Sequence, residues 1–258
     1  MTRASHGTIR LSEGFQLSRF QTKAKRSGRR KGRNSELLLG ALSLGTSSLA
    51  DGSGMIRRLI HIPIVHTSEE LGSLSDAVKA CYSKAFGPRT WSRREQVVAE
   101  LWKHIRESIE ALHLDEEHVR IYQDGLPVCG FEEKIVRELA EAGSCNHQLI
   151  VELLDRGATL EGTEEPQLLM EEYEMQKQCM ENRAVSDQGR EERTRQAEHL
   201  LKARDAYIAK RIDATLKPGE TGLVFLGASH RLHALQSTDI QVSPLGDESN
   251  EAVRRPGT

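Results

Sequence analysis

Aromatic residues are scarce in this 258-residue chain, at 4% of positions, and hydrophobic residues of all kinds reach only 37%. No stretch approaches the roughly 18 consecutive apolar residues of a membrane-spanning helix, so no such helix is expected. An excess of one charge is missing too: 36 Lys and Arg stand against 38 Asp and Glu, for a net −2. That balance gives no global attraction to nucleic acid or to an anionic membrane, and no nucleic-acid partner is expected. The four cysteines, Cys81, Cys129, Cys145 and Cys179, lack the Cys-x-x-Cys spacing of a zinc site and demand no disulfide. Scattered thiols of this kind fit a reducing cytoplasm. There is no Gly-x-Ser-x-Gly elbow and no phosphate-binding glycine loop.

What is present is unevenly distributed. Residues 1–54 hold ten basic and three acidic residues, a local charge of +7, and residues 55–258 carry −9. The opening stretch is rich in Ser, Gly and Arg, without a hydrophobic period long enough to fold, and reads as a disordered basic leader. Met55 directly precedes a strand pattern and is an alternative start. Residues 29–50 also have the ingredients of an export signal, basic Arg29-Arg30-Lys31 before Leu37-Leu38-Leu39, although Glu36 and Gly40 interrupt it. A basic arm for nucleic acid is the third reading. Residues 55–245 read as one domain, and 246–258 as a polar tail.

Within the domain, strand-like and helix-like segments alternate. Leu59–Val65 is a short apolar run of the buried-strand kind, with Pro63 awkward in it. Residues 92–112 repeat apolar positions at three- and four-residue steps, with Ser92 as the expected N-cap and Glu95 three residues later. Further strands are expected at 119–122, 158–160, 223–226 and 239–242. Helices are expected at 74–85, 131–142 and 146–155, with a charged helical stretch over 167–216 that weakens at Ser186–Gly189. Strands separated by helices pair in parallel, because only a crossover returns the chain in the same direction. The fold class expected is therefore α/β, a mainly parallel sheet of four or five strands flanked by helices.

In such sheets, sites gather beyond the carboxyl ends of the strands. That rule selects His66 after the first strand, Asp124 after the second, Glu164 after the third and His230 after the fourth. His230 ends the small-residue turn Gly227-Ala228-Ser229, and histidine suits proton transfer near neutral pH or metal ligation. Arg204 lies in the stripe Leu200, Arg204, Ile208, Ile212, so it should point into the protein, to pair with a carboxylate or an anionic substrate group. His147 reads as a helix cap or surface residue. The charged helix 167–205 reads as a solvated face, or as a surface for a protein partner.

The stretches Arg204-Asp205-Ala206-Tyr207-Ile208 and Leu223-Val224-Phe225-Leu226-Gly227-Ala228-Ser229-His230 resemble the closing part of the erythromycin esterase/ChaN/TraB/Tiki-like superfamily. Members carry an Arg-Asp or Arg-Asn helix before a hydrophobic strand that ends in Gly-x-x-His. Their first strand also ends in Gly-x-x-His; here His66 matches, with Pro63 in the glycine's place and Asp124 where a glutamate is usual. The resemblance implies a hydrolase-like pocket for a small-molecule or peptide substrate, metal-dependent in some members. His66, His230 and Asp124 are then the candidates for a divalent metal. His66, His230, Arg204, Asp124 and Glu164 are the candidates for catalysis. A non-catalytic module that binds a small ligand or a metal in the same pocket is the alternative.

Overall fold

The computed structural model describes residues 56–67, 69–70, 75–181 and 186–247. The expected basic leader and most of the expected polar tail lie outside these residues. Five strands, β1 (Arg57–Ile64), β2 (Val119–Gln123), β3 (Thr159–Glu161), β4 (Thr221–Gly227) and β5 (Ile240–Pro244), form one sheet in the order β3-β2-β4-β1-β5. Every pairing is parallel. The helices among the described residues are α1 (Ser75–Phe86), α2 (Thr90–Ala111), α3 (Glu132–Glu141), α4 (Cys145–Asp155), α5 (Pro166–Glu181) and α6 (Asp187–Thr215). The protein is an α/β fold, as the alternation of patterns predicts. None of these helices is long and apolar enough to cross a membrane.

Strand alternation divides the core in two. Ile60, Ile62 and Ile64 of β1, Ile121 of β2 and Phe225 of β4 meet Val98, Trp102 and Ile105 of α2, Ile135 and Val136 of α3, and Leu149 and Ile150 of α4. On the opposite face, Leu59, Tyr122, Val224 and Leu226 meet Ile208 and Ile212 of α6. The apolar stripe of α6 is thus buried as its spacing requires, and Arg204 is buried with it.

Pro63 is accommodated by where β5 stops. His61 directs its carbonyl to that side, accepting from Leu245 N, and β5 pairs with β1 only up to His61. Backbone polar groups repeat their direction every second residue, so the donor that Pro63 lacks would point past the end of β5. The second helix begins earlier than expected, at Thr90 rather than Ser92. Gly87 takes φ +101°, closes α1 and turns the chain, and Thr90 Oγ1 donates to Gly87 O. The weak point at Ser186 is a true boundary: its hydroxyl accepts from Gly189 N at 3.2 Å and caps α6.

Ion pairs tie the strands together near their amino ends. Arg120 of β2 grips Glu220 through Nε and Nη2 at 2.7 and 2.8 Å. Arg57 of β1 donates to Asp239 and Asp213, joining the sheet to the end of α6.

Candidate functional site

Three loops at the carboxyl ends of the strands converge on Arg204. After β2 the chain turns through Gln123–Leu126, with Leu126 N donating to Gln123 O and Gly125 at φ +72°. This turn sets Asp124 beside β4, where its Oδ2 accepts from Gly227 N at 2.7 Å. After β3, Glu164 N donates to Leu126 O, and Glu164 Oε1 accepts from Gly125 N at 3.0 Å. After β4, Gly227-Ala228-Ser229 forms a tight turn, with His230 N donating to Gly227 O. The backbones of the loops are therefore bonded to the side chains that form the site.

Arg204 is completely buried, and its guanidinium is shared by three carboxylates. Nε and Nη2 donate to Glu164 at 2.8 and 2.5 Å, Nη2 also to Asp124 Oδ1 at 3.0 Å, and Nη1 to Glu172 of α5. Burial alone would raise the Glu164 pKa, but the Arg204 charge and hydrogen bonds outweigh it and hold the carboxyl below its ordinary range. Burial likewise opposes the Arg204 charge, and the charges of Glu164, Glu172 and Asp124 overcome it, so this pKa rises. Both partners are ionised. The expected alternative role for Arg204, holding an anionic substrate group, meets a guanidinium already committed on every side.

His230 is 2% exposed and lies between two carboxylates. Its Nδ1 is 2.6 Å from Asp205 Oδ1, and its Nε2 is 3.5 Å from Asp124 Oδ1. Asp205 also accepts from Arg231 N at 3.1 Å, which fixes the start of the following loop. Ligand atoms of Asp124, Glu164 and His230 lie within 4.8 Å of one another, and all three residues are buried. Two carboxylates and an imidazole are a suitable donor set for a divalent cation of the manganese, iron or zinc type. Asp124, Glu164, Glu172 and Asp205 face one guanidinium and one imidazole, so the carboxyl groups of the cluster outnumber its basic groups.

Of the residues selected from the sequence, the structure brings Asp124, Glu164, Arg204 and His230 together. His66 takes a different position. Its Nδ1 is 2.7 Å from Glu70 Oε2, and its carbonyl accepts from Arg94 of α2. Glu70 Oε1 accepts from Ser144 Oγ at 2.6 Å, and Ser144 Oγ is 2.8 Å from His147 Nδ1. His66 therefore belongs to a second polar cluster, turned towards α2 and α4. His147, expected as a cap or surface residue, is completely buried there at the start of α4.

Sequence reasoning did not place Glu172 or Asp205 among the site residues. Glu172 gives no local signal, because its partner is 32 positions away on another helix. Asp205 carries one, its place beside Arg204 in the Arg-Asp pair. A cavity of about 500 Å³ lined by Ile109, His113, Leu153 and Arg156 lies at the opposite, amino end of the sheet and contains none of the site residues. The chain matches no protein-family model, no curated protein and no solved structure.

Proposed function

We propose that the chain is a hydrolase-like enzyme acting on a small-molecule or peptide substrate, with His230 as its proton-transfer group. The observation that carries this reading is the pair of contacts at the imidazole, Asp205 on Nδ1 and the Asp124 side of the site on Nε2. A carboxylate on Nδ1 selects the tautomer with its proton there, leaving Nε2 as the base. A base so oriented removes a proton from an attacking water and returns it to the leaving group. Asp205 is then a positioning residue, as is Arg204, which fixes Asp124 and Glu164 against the turn that carries His230. The resemblance to the erythromycin esterase/ChaN/TraB/Tiki-like superfamily supports the same reaction class. Free thiols at Cys81, Cys129, Cys145 and Cys179 support a reducing, cytoplasmic setting.

A second reading is favoured by the excess of carboxyl groups in the cluster and the closeness of Asp124, Glu164 and His230. Those three residues would hold a divalent cation, which supplies Lewis acidity when bound. Arg204 Nη2 contacts both carboxylates, so the guanidinium and a cation compete for the same oxygens.

The test is turnover of the full chain on panels of carboxylic esters and peptides, with His230→Gln beside it. The expected result is hydrolysis in one class and a loss of roughly 10²–10⁴-fold in His230→Gln, the usual range for a general base. Wild-type turnover in His230→Gln overturns the proposal. Absence of turnover, with stoichiometric Mn²⁺ or Zn²⁺ retained through dialysis, makes the chain a non-catalytic binding module instead.

A further inference from the structure

The cavity at the amino end of the sheet, about 500 Å³, falls within the size range of small-molecule sites. It lies where two helices finish. Ile109 and Glu110 line it from the end of α2, Leu114 from the loop beyond, and Leu153 from the end of α4. Ile109 and Leu153 are buried members of the larger core, and Leu114 packs against that core, so the floor is apolar. Glu110, His113 and Arg156, which complete the wall with Glu116, are exposed, so the cavity opens to solvent.

The wall favours one sign of charge. The C-terminal end of an α-helix is the negative pole of its dipole and attracts cations. Both α2 and α4 end here, and neither has a basic residue in its last turn. Glu110 and Glu116 add two carboxyl groups. Arg156 is the C-cap of α4, and its Nε is 3.2 Å from Glu116 Oε1, so these two side chains answer each other. The Glu110 side chain has no ion-pair partner among the described residues.

His113 shows that the wall is a constrained part of the fold. It follows α2 at φ +48°, the left-handed conformation in which glycine commonly ends a helix. A side chain held in that conformation strains the backbone, and residues of this kind concentrate at ligand sites. The surrounding turns are fixed. His113 N donates to Glu110 O at 3.1 Å, and Gly157 approaches the Glu116–His118 turn so closely that a Cβ would meet Glu117 Cγ at 3.3 Å.

We infer that this cavity binds a small organic ammonium ion, its apolar body on Ile109, Leu114 and Leu153 and its charged nitrogen at Glu110. A carboxylate or phosphate ligand would meet two carboxyl groups and two negative helix poles, and a neutral ligand would leave Glu110 unanswered. The site uses none of the residues around Arg204, so it stands apart from the hydrolase reading.

The test is calorimetric binding of phenethylammonium to the full chain at constant ionic strength, beside its neutral counterpart phenethyl alcohol and its anionic counterpart hydrocinnamate. Backbone amide resonances locate the ligand. The expected result is saturable binding of the ammonium in the millimolar range or tighter, with the signals of Glu110, His113 and Arg156 shifted. The alcohol and the carboxylate should bind at least tenfold more weakly. Glu110→Gln should weaken the ammonium about tenfold, the loss of one charge-assisted hydrogen bond. Glu107→Gln makes the same charge change nearly one turn earlier on α2, outside the cavity wall, and should not. His230→Gln should bind as wild type does, whatever its turnover. Glu110 is exposed, so its replacement leaves the fold intact. Absence of saturable ammonium binding, equal binding of the alcohol, or unchanged affinity in Glu110→Gln overturns the inference.

Discussion

Arg204 is the counter-charge for three carboxylates that the fold has removed from water. Breaking a buried pair leaves uncompensated charge and costs far more than the pair's net contribution. Replacing Arg204 with Met should therefore destabilise the protein by about 3–5 kcal/mol, read as a lower urea midpoint. A loss below about 1 kcal/mol would mean that water reaches Asp124, Glu164 and Glu172 freely. The burial of Arg204 was legible in the sequence, because Leu200, Ile208 and Ile212 share its helical face. The choice between a carboxylate and a substrate was not legible, since Glu164 and Glu172 reach it from a loop and another helix. The direction of His66 was not legible, because it lies past the end of β1, where alternation no longer fixes it.

At the scale of elements, Glu70 attaches the chain leaving β1 to the start of α4. It binds Ser144 Oγ at 2.6 Å, Thr67 Oγ1 at 3.2 Å and His66 Nδ1 at 2.7 Å. Burial pushes its carboxyl pKa up, but the His147 imidazole 3.7 Å away and the hydrogen bond with His66 prevail and hold it well below the ordinary 4.5. A carboxyl depressed in the folded state contributes stability that is complete above its unfolded pKa and is lost as pH falls. The stability gap between wild type and Glu70→Gln should thus be full at neutral pH and shrink as pH drops below 4.5. Denaturation curves at pH 7 and pH 3 measure it, and an equal gap at both contradicts the assignment. The element types were legible because their periods were clear. The Ser92 cap was not kept, because Gly87 had already turned the chain and Thr90 could bond back to it. β3 is short, and Gly162 just beyond it has a backbone reason: a Cβ there would meet Val128 Cα at 2.8 Å.

For the whole molecule, alternation of strands and helices was enough to predict a parallel sheet, and it implied sites at one end. The strand order β3-β2-β4-β1-β5 was not legible, because the chain passes over β4 between β1 and β2 and over β1 between β4 and β5. That order brings Asp124 beside Gly227 and His230. The structure also holds apart two polar clusters that the rule of sites beyond the strands' carboxyl ends would have merged, one around Arg204 and α6 and one around Glu70 and the start of α4. The central claim is that His230, oriented by Asp205, is the reaction centre of the first cluster. The most direct measurement is the hydrolysis rate of Asp205→Asn on the substrate class that wild type turns over, with the melting temperature recorded on the same sample. The account predicts a fall of roughly 10²–10⁴-fold with the fold retained; a wild-type rate in Asp205→Asn would contradict it.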